Sequence, residues 1–232
     1  MIAVIVPAHN EADHIGACLQ SLHRAAKCPA LRAEPVAVVV ALDHCTDATE
    51  TIAKHYGVQL VRCRARNVGV ARARGAQRAL AMGARWLAFT DADSEVAPDW
   101  ISEQLRLNTD VVCGTVHVRD WGAHNDTVRK TFHQQYRDCD GHRHIHGANL
   151  GLTAQAYQSA GGFQPLATGE DVALVHALQA QGHSIAWSAA PRVNTSARLH
   201  TRAPHGFGAA LVRMGGERLA PCNDEVPHDR LA

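Results

Sequence analysis

Three acidic side chains stand at alternate positions directly after an apolar run in the middle of the chain. The run covers residues 86–89, and the acids are Asp91, Asp93 and Glu95. In an extended segment, residues i and i+2 point to the same side, so Asp91 and Asp93 converge on one point. Two adjacent carboxylates repel each other unless a positive group lies between them. The spacing therefore indicates either a site for a positive group or a solvated loop ahead of the helix that Pro98 predicts.

The first hundred residues alternate between apolar strands and amphipathic helices, which position these acids. Strands are predicted at 2–7, 35–42, 57–62 and 85–91, and helices at 15–22, 46–56 and 68–82. Strands that are apolar throughout, with helices between them, predict a parallel sheet that is covered on both faces. In such sheets the ligand crevice lies beyond the carboxyl ends of the strands.

Polar residues occur where three of the predicted strands end. They are Asn10 and Glu11 after the first strand, Asp43 and Asp47 after the second, and Asp91 and Asp93 after the fourth. Each of them could cap a helix or form a turn on its own. Their recurrence at one predicted edge of the sheet indicates a binding site there.

The second half of the chain is less regular. Strands are predicted at 111–118 and 184–189, helices at 126–138 and 169–183, a strand, a helix and a glycine stop within 146–163, and a last helix after 198–208. Neither a linker nor an internal repeat divides the sequence. A single domain over residues 1–232 is therefore predicted.

Composition limits the kinds of protein that this sequence can encode. The chain has 232 residues and a formal net charge of +1, which argues against a nucleic-acid-binding protein. Its seven cysteines show no C-x-x-C spacing, so a reducing cytoplasm is expected, without a disulfide framework or a structural zinc site. No basic segment precedes the first apolar run, so no signal peptide is predicted. No run approaches the roughly 20 apolar residues that span a bilayer.

Seven sequence blocks carry a resemblance to a known enzyme family. They are VIVPAHNEA at 4–12, LDHCTDAT at 42–49, NVGVARARGAQ at 67–77, FTDADSEVAPDW at 89–100, HGANLGLT at 146–153, AGGF at 160–163 and GEDVAL at 169–174. In order and spacing they resemble the family 2 glycosyltransferases. The resemblance implies an α/β protein of the GT-A fold, with a Rossmann-like, mostly parallel sheet flanked by helices. It also implies transfer of a sugar, with inversion, from a nucleoside-diphosphate sugar to an acceptor hydroxyl.

The resemblance further implies a divided domain and a metal cofactor. Residues 1–95 would form the nucleotide-binding half, 96–190 the acceptor-side half and 191–232 a C-terminal loop and tail. Mn²⁺ or Mg²⁺, held by carboxylates, would neutralise the leaving diphosphate. Asp93 would bind this metal, and Asp91 would face the ribose or the metal shell.

Other donor contacts implied by the resemblance lie at strand ends and on the third helix. Pro7, Ala8, Asn10 and Glu11 would line the nucleoside pocket, Asp43 would read the base, Ala92 lies within the Asp-x-Asp motif, and Arg66 or Arg72 would approach the base or the phosphates. For each arginine, a solvated loop or helix face is an equally weighted alternative.

Two acids open the helix predicted at 169–183. The attacking hydroxyl needs a general base, and the resemblance assigns that role to Asp171, with Glu170 as the second candidate. Acids at this position also complement a helix N-terminus, which is the alternative. Upstream, Gly147, Ala148 and Asn149 would contact the sugar and the acceptor, or else form a simple glycine-bounded strand.

The basic segment 196–208 follows the last predicted strand and has too little apolar content to belong to the core. In position and charge it resembles a C-terminal loop that folds over the donor in GT-A enzymes. Arg198 or Arg202 would then contact the diphosphate, and His200 would lie near the metal. An exposed basic tail is the alternative.

The acceptor is left open as a small molecule, a lipid or a glycan. Acceptor recognition in this family lies mostly in the stretch that corresponds to 117–146, whose histidines we expect to be solvated side chains on a helix. We expect the protein in the cytoplasm or peripherally at the inner face of a membrane, with no nucleic-acid partner. A homodimer is compatible with the sequence.

Two other functions compete with the transferase. A catalytically inactive sugar-nucleotide-binding protein would share the fold, but it would not need to keep Asp91, Asp93 and Asp171 together. A nucleotidyltransferase would normally carry a glycine-rich loop with a basic residue after the first strand, and PAHNEADH lacks one.

Overall fold

Continuous apolar runs form the strands, and helical segments between them cover the resulting sheet. The computed structural model describes residues 1–198 and 207–214. The strands are β1 Ile2–Ala8, β2 Val36–Asp43, β3 Gln59–Cys63, β4 Trp86–Phe89, β5 Glu95–Val96, β6 Val111–His117, β7 Leu150–Thr153 and β8 Ile185–Asn194. The helices are α1 Ile15–Ala26, α2 Thr49–His55, α3 Val68–Ala81, α4 Trp100–Arg106, α5 Asp126–Gln135, α6 Ala154–Ser159, α7 Glu170–Ala180 and α8 Phe207–Met214, with a 3₁₀ turn at Pro29–Leu31.

These strands form one sheet in the order β3-β2-β1-β4-β7-β6-β8-β5. The first four strands in this order are parallel to one another, and β6 is parallel to β8. Strand β7 is antiparallel to both β4 and β6, and the short β5 is antiparallel to β8. The predicted α/β architecture with a mostly parallel sheet is therefore confirmed.

Helices cover both faces of the sheet, as strands that are apolar throughout require. On one face, α1 and α4 pack through Leu19, Leu22 and Trp100. On the other face, α3 and α7 pack through Ala76 and Leu178. The sheet is thus the middle layer of a three-layer sandwich, and only its ends remain available for a binding site.

Helix α3 lies close to the sheet because small residues face it. A Cβ atom added at Gly75 would lie 2.5 Å from Cγ2 of Ile5 in β1, closer than real Cβ atoms come to such a neighbour. A larger residue at this position would push α3 away from β1. The fit matters because α3 also carries Arg72, about one turn before Gly75.

Most element bounds differ from the prediction by a few residues, and for α5 and β8 the structure shows the reason. Helix α5 ends at Gln135 rather than at 138, because Tyr136 has an extended backbone with φ −83° and ψ 120°. Strand β8 continues to Asn194 rather than ending at 189. It does so because pairing with β6 resumes beyond a bulge, where Val116 lies opposite Val193.

Candidate active site

The site lies where parallel strands of the first half end side by side. Strand β1 runs between β2 and β4, with Ala8 opposite Leu42 and Ile5 opposite Phe89. The loops that leave these three strands hold the sequence-predicted donor residues. Two of those residues, Pro7 and Ala8, end β1 and are buried.

The loops after β1 and β2 are bound to each other by side chains. Asn10, which has a positive φ of 52°, accepts a hydrogen bond at Oδ1 from the backbone N–H of Thr46 over 2.8 Å. In return, Oδ2 of Asp47 accepts from the N–H of Ala12 over 3.0 Å. These reciprocal contacts explain why Asn and Asp follow the two strands.

Asp43 at the end of β2 supports the turn that leads into α3. Its Oδ1 accepts hydrogen bonds from the N–H groups of Ala65 and Arg66 at 2.7 and 3.0 Å, and its Oδ2 accepts from Asn67 at 2.8 Å. Asn67 then caps α3 by accepting from the N–H of Val70. The carboxylate of Asp43 is buried in this contact, whereas the side chain of Arg66 is exposed.

Arg72 on α3 joins two acids that are far apart in the sequence. Its guanidinium contacts Oδ1 of Asp91 at 2.5 Å through Nη2 and pairs with Oε1 of Glu170 through Nη1. Arg72 is only 4% exposed, so the alternative prediction, in which Arg72 lies on a solvated helix face, is wrong. Burial raises the pKa of Glu170, while the nearby Arg72 charge opposes that rise.

Asp93 belongs to a second ion-pair group at the same edge. Arg198 contacts Oδ2 of Asp93 at 3.1 Å, and it donates two hydrogen bonds to Glu11 at 2.9 and 3.0 Å. Burial raises the pKa of Asp93 to about 6; Arg198 opposes this, whereas the charges of Asp91 and Glu11 add to it. Arg198 therefore pairs with Glu11 and Asp93 and lies within the electrostatic influence of Asp91.

Asp171 is held at the start of α7, which begins after Gly169 with a φ of 74°. Its Oδ2 accepts a hydrogen bond from the backbone N–H of Gly147 at 2.7 Å, and its Oδ1 accepts from the N–H of Val172 at 2.9 Å. The side chain is half-buried. A carboxylate that is both oriented and partly accessible can accept a proton from a bound molecule, whereas the buried Glu170 is committed to Arg72.

The loop 147–149 is close-packed. A Cβ atom at Gly147 would lie 2.4 Å from Cζ of Arg72, so only glycine fits there without displacing the guanidinium. Asn149 has no exposed surface; its amide donates to the carbonyls of Thr115 and Pro191 and accepts from Nε1 of Trp100. The side chain of Asn149 therefore ties β6, β8 and α4 together rather than reaching the cleft.

Three histidines beside this loop do not form the solvated helical face that the sequence led us to expect. His142 is fully buried, and His144 and His146 are half-buried. The ring of His144 stacks on Tyr136 with centroids 4.1 Å apart, and on His142 at 5.5 Å. The expectation was wrong for these three histidines because helix α5 ends before Tyr136. The pattern His-x-His-x-His at 142–146 was the available signal, since alternate residues of an extended segment share a side.

The Asp91–Asp93 turn suits a hard divalent cation because its donor atoms are oxygens. Asp91, Asp93 and Glu11 also concentrate negative charge; Arg198 pairs with Glu11 and Asp93, and Arg72 pairs with Asp91. Across residues 1–198 and 207–214, no three His, Cys, Asp or Glu side chains form a ready-made metal site. Asp91 and Asp93 thus supply oxygen donors of the right chemistry without forming a complete metal site in the described part of the chain. His200, which was predicted to lie near the metal, and Arg202, which was predicted to contact the diphosphate, lie outside the described residues.

The helix-covered, mostly parallel sheet is GT-A-like, and carboxylates lie beyond the ends of its strands. The chain belongs to Glycosyl transferase family 2, whose profile matches residues 3–161. This membership removes the nucleotidyltransferase alternative. Among curated proteins, none is significantly similar in sequence.

Solved structures share the fold at low sequence identity. TarS of S. aureus in complex with UDP-GlcNAc has a TM-score of 0.67 and 15% identity, and the match covers 92% of this chain and 64% of that one. PcManGT, a mannosyltransferase from Pyrobaculum calidifontis in complex with GDP-Man and Mn²⁺, has a TM-score of 0.62 and 17% identity, with coverage of 85% and 57%. This chain spans only 36% of another TarS structure. These likenesses show the fold.

In the part of the chain that the structure describes, no helix combines the length and the hydropathy that crossing a bilayer requires.

Proposed function

We propose that this protein transfers a sugar from a nucleoside-diphosphate sugar to an acceptor hydroxyl with inversion at the anomeric carbon. One observation carries the proposal: a continuous network joins Asp171 through Gly147 to Arg72 and Asp91. The network holds a half-buried carboxylate beside the acids that suit a metal–diphosphate group. A transferase needs both kinds of carboxylate, because the donor sugar loses a diphosphate anion and the acceptor hydroxyl loses a proton.

The donor half of the site is formed by loops after β1, β2 and β4. Asp43 holds the turn at 65–67 in place through hydrogen bonds. This position supports placing Asp43, with Pro7, Ala8 and Asn10, beside the nucleobase. Asp93, with Asp91 nearby, would hold Mn²⁺ or Mg²⁺. The bound metal would neutralise the charge that develops on the departing diphosphate.

The protein's own groups carry the remaining steps. Asp171 accepts the proton of the acceptor hydroxyl as that oxygen attacks the anomeric carbon. Arg72 fixes Asp91 and, through the close approach to Gly147, the loop that orients Asp171. Arg198, which pairs with Asp93 and Glu11, would contact a diphosphate bound beside them.

Two measurements test this proposal. A thermal-shift panel of UDP, GDP, CDP, ADP and dTDP with Mn²⁺ should show selective stabilisation by at least one of them. The matching nucleotide sugars should then be hydrolysed slowly, with release of the nucleoside diphosphate. Binding without any hydrolysis would favour an inactive sugar-nucleotide-binding protein, and absence of both would reject the proposal.

A further inference from the structure

Three histidines next to the candidate site have ring protons whose positions the hydrogen bonds define. His142 accepts the backbone N–H of His144 at Nδ1 over 3.1 Å, so its proton is on Nε2, which faces the carbonyl of Ser188 at 3.4 Å. His144 accepts the N–H of Arg137 at Nε2 over 3.2 Å, so its proton is on Nδ1. A backbone N–H can only donate, and each bond therefore fixes one tautomer.

His146 is fixed in the same way through Tyr136. The hydroxyl oxygen of Tyr136 accepts the backbone N–H of Val116 at 2.8 Å and lies 2.9 Å from Nε2 of His146. Because the hydroxyl has already accepted from Val116, its own proton is free to be donated to Nε2. The reverse arrangement would leave that proton without an acceptor among the described contacts. His146 therefore carries its proton on Nδ1.

Stacked rings hold this arrangement in place. Tyr136 lies between Phe132 at 4.6 Å and His144 at 4.1 Å, with interplanar angles of 17° and 8°. The ring of Phe207 from α8 meets His146 edge-on at 5.8 Å. Tyr136 cannot rotate without breaking both stacks, so the donor that it gives to His146 has a fixed direction.

The surroundings of His146 connect it to the site. It immediately precedes Gly147, whose N–H binds Asp171, and it lies within the electrostatic influence of Asp91. Burial, with a smaller contribution from the neighbouring histidines, lowers the pKa of His146 to about 3. The imidazole is therefore neutral at physiological pH, with Nδ1–H as its donor. No partner for Nδ1 is found among residues 1–198 and 207–214.

We propose that the Nδ1–H of His146 donates a hydrogen bond to the acceptor oxygen that Asp171 deprotonates, and that Tyr136 positions this donor. The inference rests on the proposed function and adds a specificity to it. The acceptor group must accept from His146 and donate to Asp171 at the same atom. A hydroxyl does both, whereas a protonated amine has no lone pair for His146. The site would thus select hydroxyl over ammonium acceptors.

The first test measures the tautomer directly, by NMR of protein labelled with ¹⁵N in its histidines. Signals of His146, identified by their loss in His146→Gln, should show a protonated Nδ1 and an unprotonated Nε2 at pH 7. In Tyr136→Phe the fixed hydroxyl donor is gone, and a signal from protonated Nε2 should appear. A protonated Nε2 in the unmodified protein would overturn the inference whatever the activity.

The second test uses donor hydrolysis, in which water takes the place of the acceptor hydroxyl. His146→Gln keeps an acceptor near Tyr136 but loses Nδ1–H, so turnover should fall about 10-fold, the scale of one hydrogen bond, with the donor KM unchanged. His146→Asn places an amide near the Nδ1 position and should keep more activity. His133→Gln, on the exposed face of α5, is the matched control.

The outcomes separate this inference from the proposed function. Normal turnover in His146→Gln would overturn the inference and leave the transferase assignment standing. Nucleotide binding without hydrolysis, or no binding at all, would overturn the assignment and with it the role of His146, while the tautomer result would stand as a structural finding.

Discussion

Asp171 accepts a hydrogen bond from the backbone N–H of Gly147 across 2.7 Å, although the two residues are 24 positions apart. Gly147 in turn packs so closely on Arg72 that no Cβ atom fits between them. A single loop residue therefore joins the carboxylate proposed as the general base to the Arg72–Asp91 ion pair.

Asp171→Asn should remove the general base while leaving donor binding intact. The amide still accepts from Gly147, so the loop is retained, but turnover should fall by about 10² or more. Calorimetry with the nucleoside diphosphate and hydrolysis of the nucleotide sugar measure the two effects separately. Asp126→Asn, at the exposed start of α5, serves as the control. Near-normal turnover in Asp171→Asn would remove this residue from the mechanism.

Arg72→Met should be strongly destabilising because it leaves Glu170 buried without a counter-charge. Breaking a buried pair from one side typically costs about 3–5 kcal/mol. Urea unfolding should show a loss of this order, and the double variant with Glu170→Gln should recover part of it. Arg66→Met changes an exposed arginine six residues earlier and should stay within about 0.5 kcal/mol. Equal losses in the two arginine variants would contradict the buried pairing.

Nucleoside diphosphate binding should depend on a divalent cation. Two carboxylates repel a diphosphate unless a cation neutralises them, so excess chelator should abolish the binding that Mn²⁺ supports. Asp93→Asn should weaken the metal-linked binding, whereas Asp99→Asn, at an exposed position between β5 and α4, should not. If calorimetry gives the same affinity with Mn²⁺ and with chelator, Asp91 and Asp93 do not hold a metal.

The loop that carries the three histidines should loosen in acid. Hydrogen bonds from the N–H of Ala189 and the hydroxyl of Ser188 lower the pKa of Asp140 below its usual value. A lowered folded-state pKa gives stability that is present above the unfolded pKa, near 3.9, and is lost as the pH falls through the folded value. The unfolding free energy of the natural protein should exceed that of Asp140→Asn at pH 7. This difference should shrink towards pH 3; a constant difference would contradict an ionised anchor.

Much of the first half of the chain could be predicted because its strands and helices produce local patterns in the sequence. Apolar runs such as 2–7 and 85–91 define strands directly, and the acids after them share an edge once the sheet is parallel. Family blocks added the order of the site residues along the chain. The α/β fold and the membership in glycosyl transferase family 2 are confirmed on this basis.

Contacts between residues that are far apart in the chain could not be predicted from the sequence. Arg72 meets Glu170 across 98 positions and Arg198 meets Glu11 across 187, and neither pairing has a local pattern. The fully buried amide of Asn149 depends on Thr115 and Pro191, which come together only when β6 and β8 pair. Residue type alone left alternative roles open for these side chains, and their burial in the folded chain distinguishes between those roles.

The antiparallel strand β7 lies between β4 and β6, and so it joins the two halves of the chain in one hydrogen-bonded sheet. Trp86 pairs with Thr153 on one side of this seam, and Val111 pairs with Leu152 on the other. A chimaera that exchanged residues 1–95 between relatives would expose this seam to mismatched side chains, because β7 belongs to the other half. A chimaera should therefore fold well only when β4 and β7 come from the same parent. The proposed donor-binding loops would then have to be exchanged together with a strand from the second half of the chain.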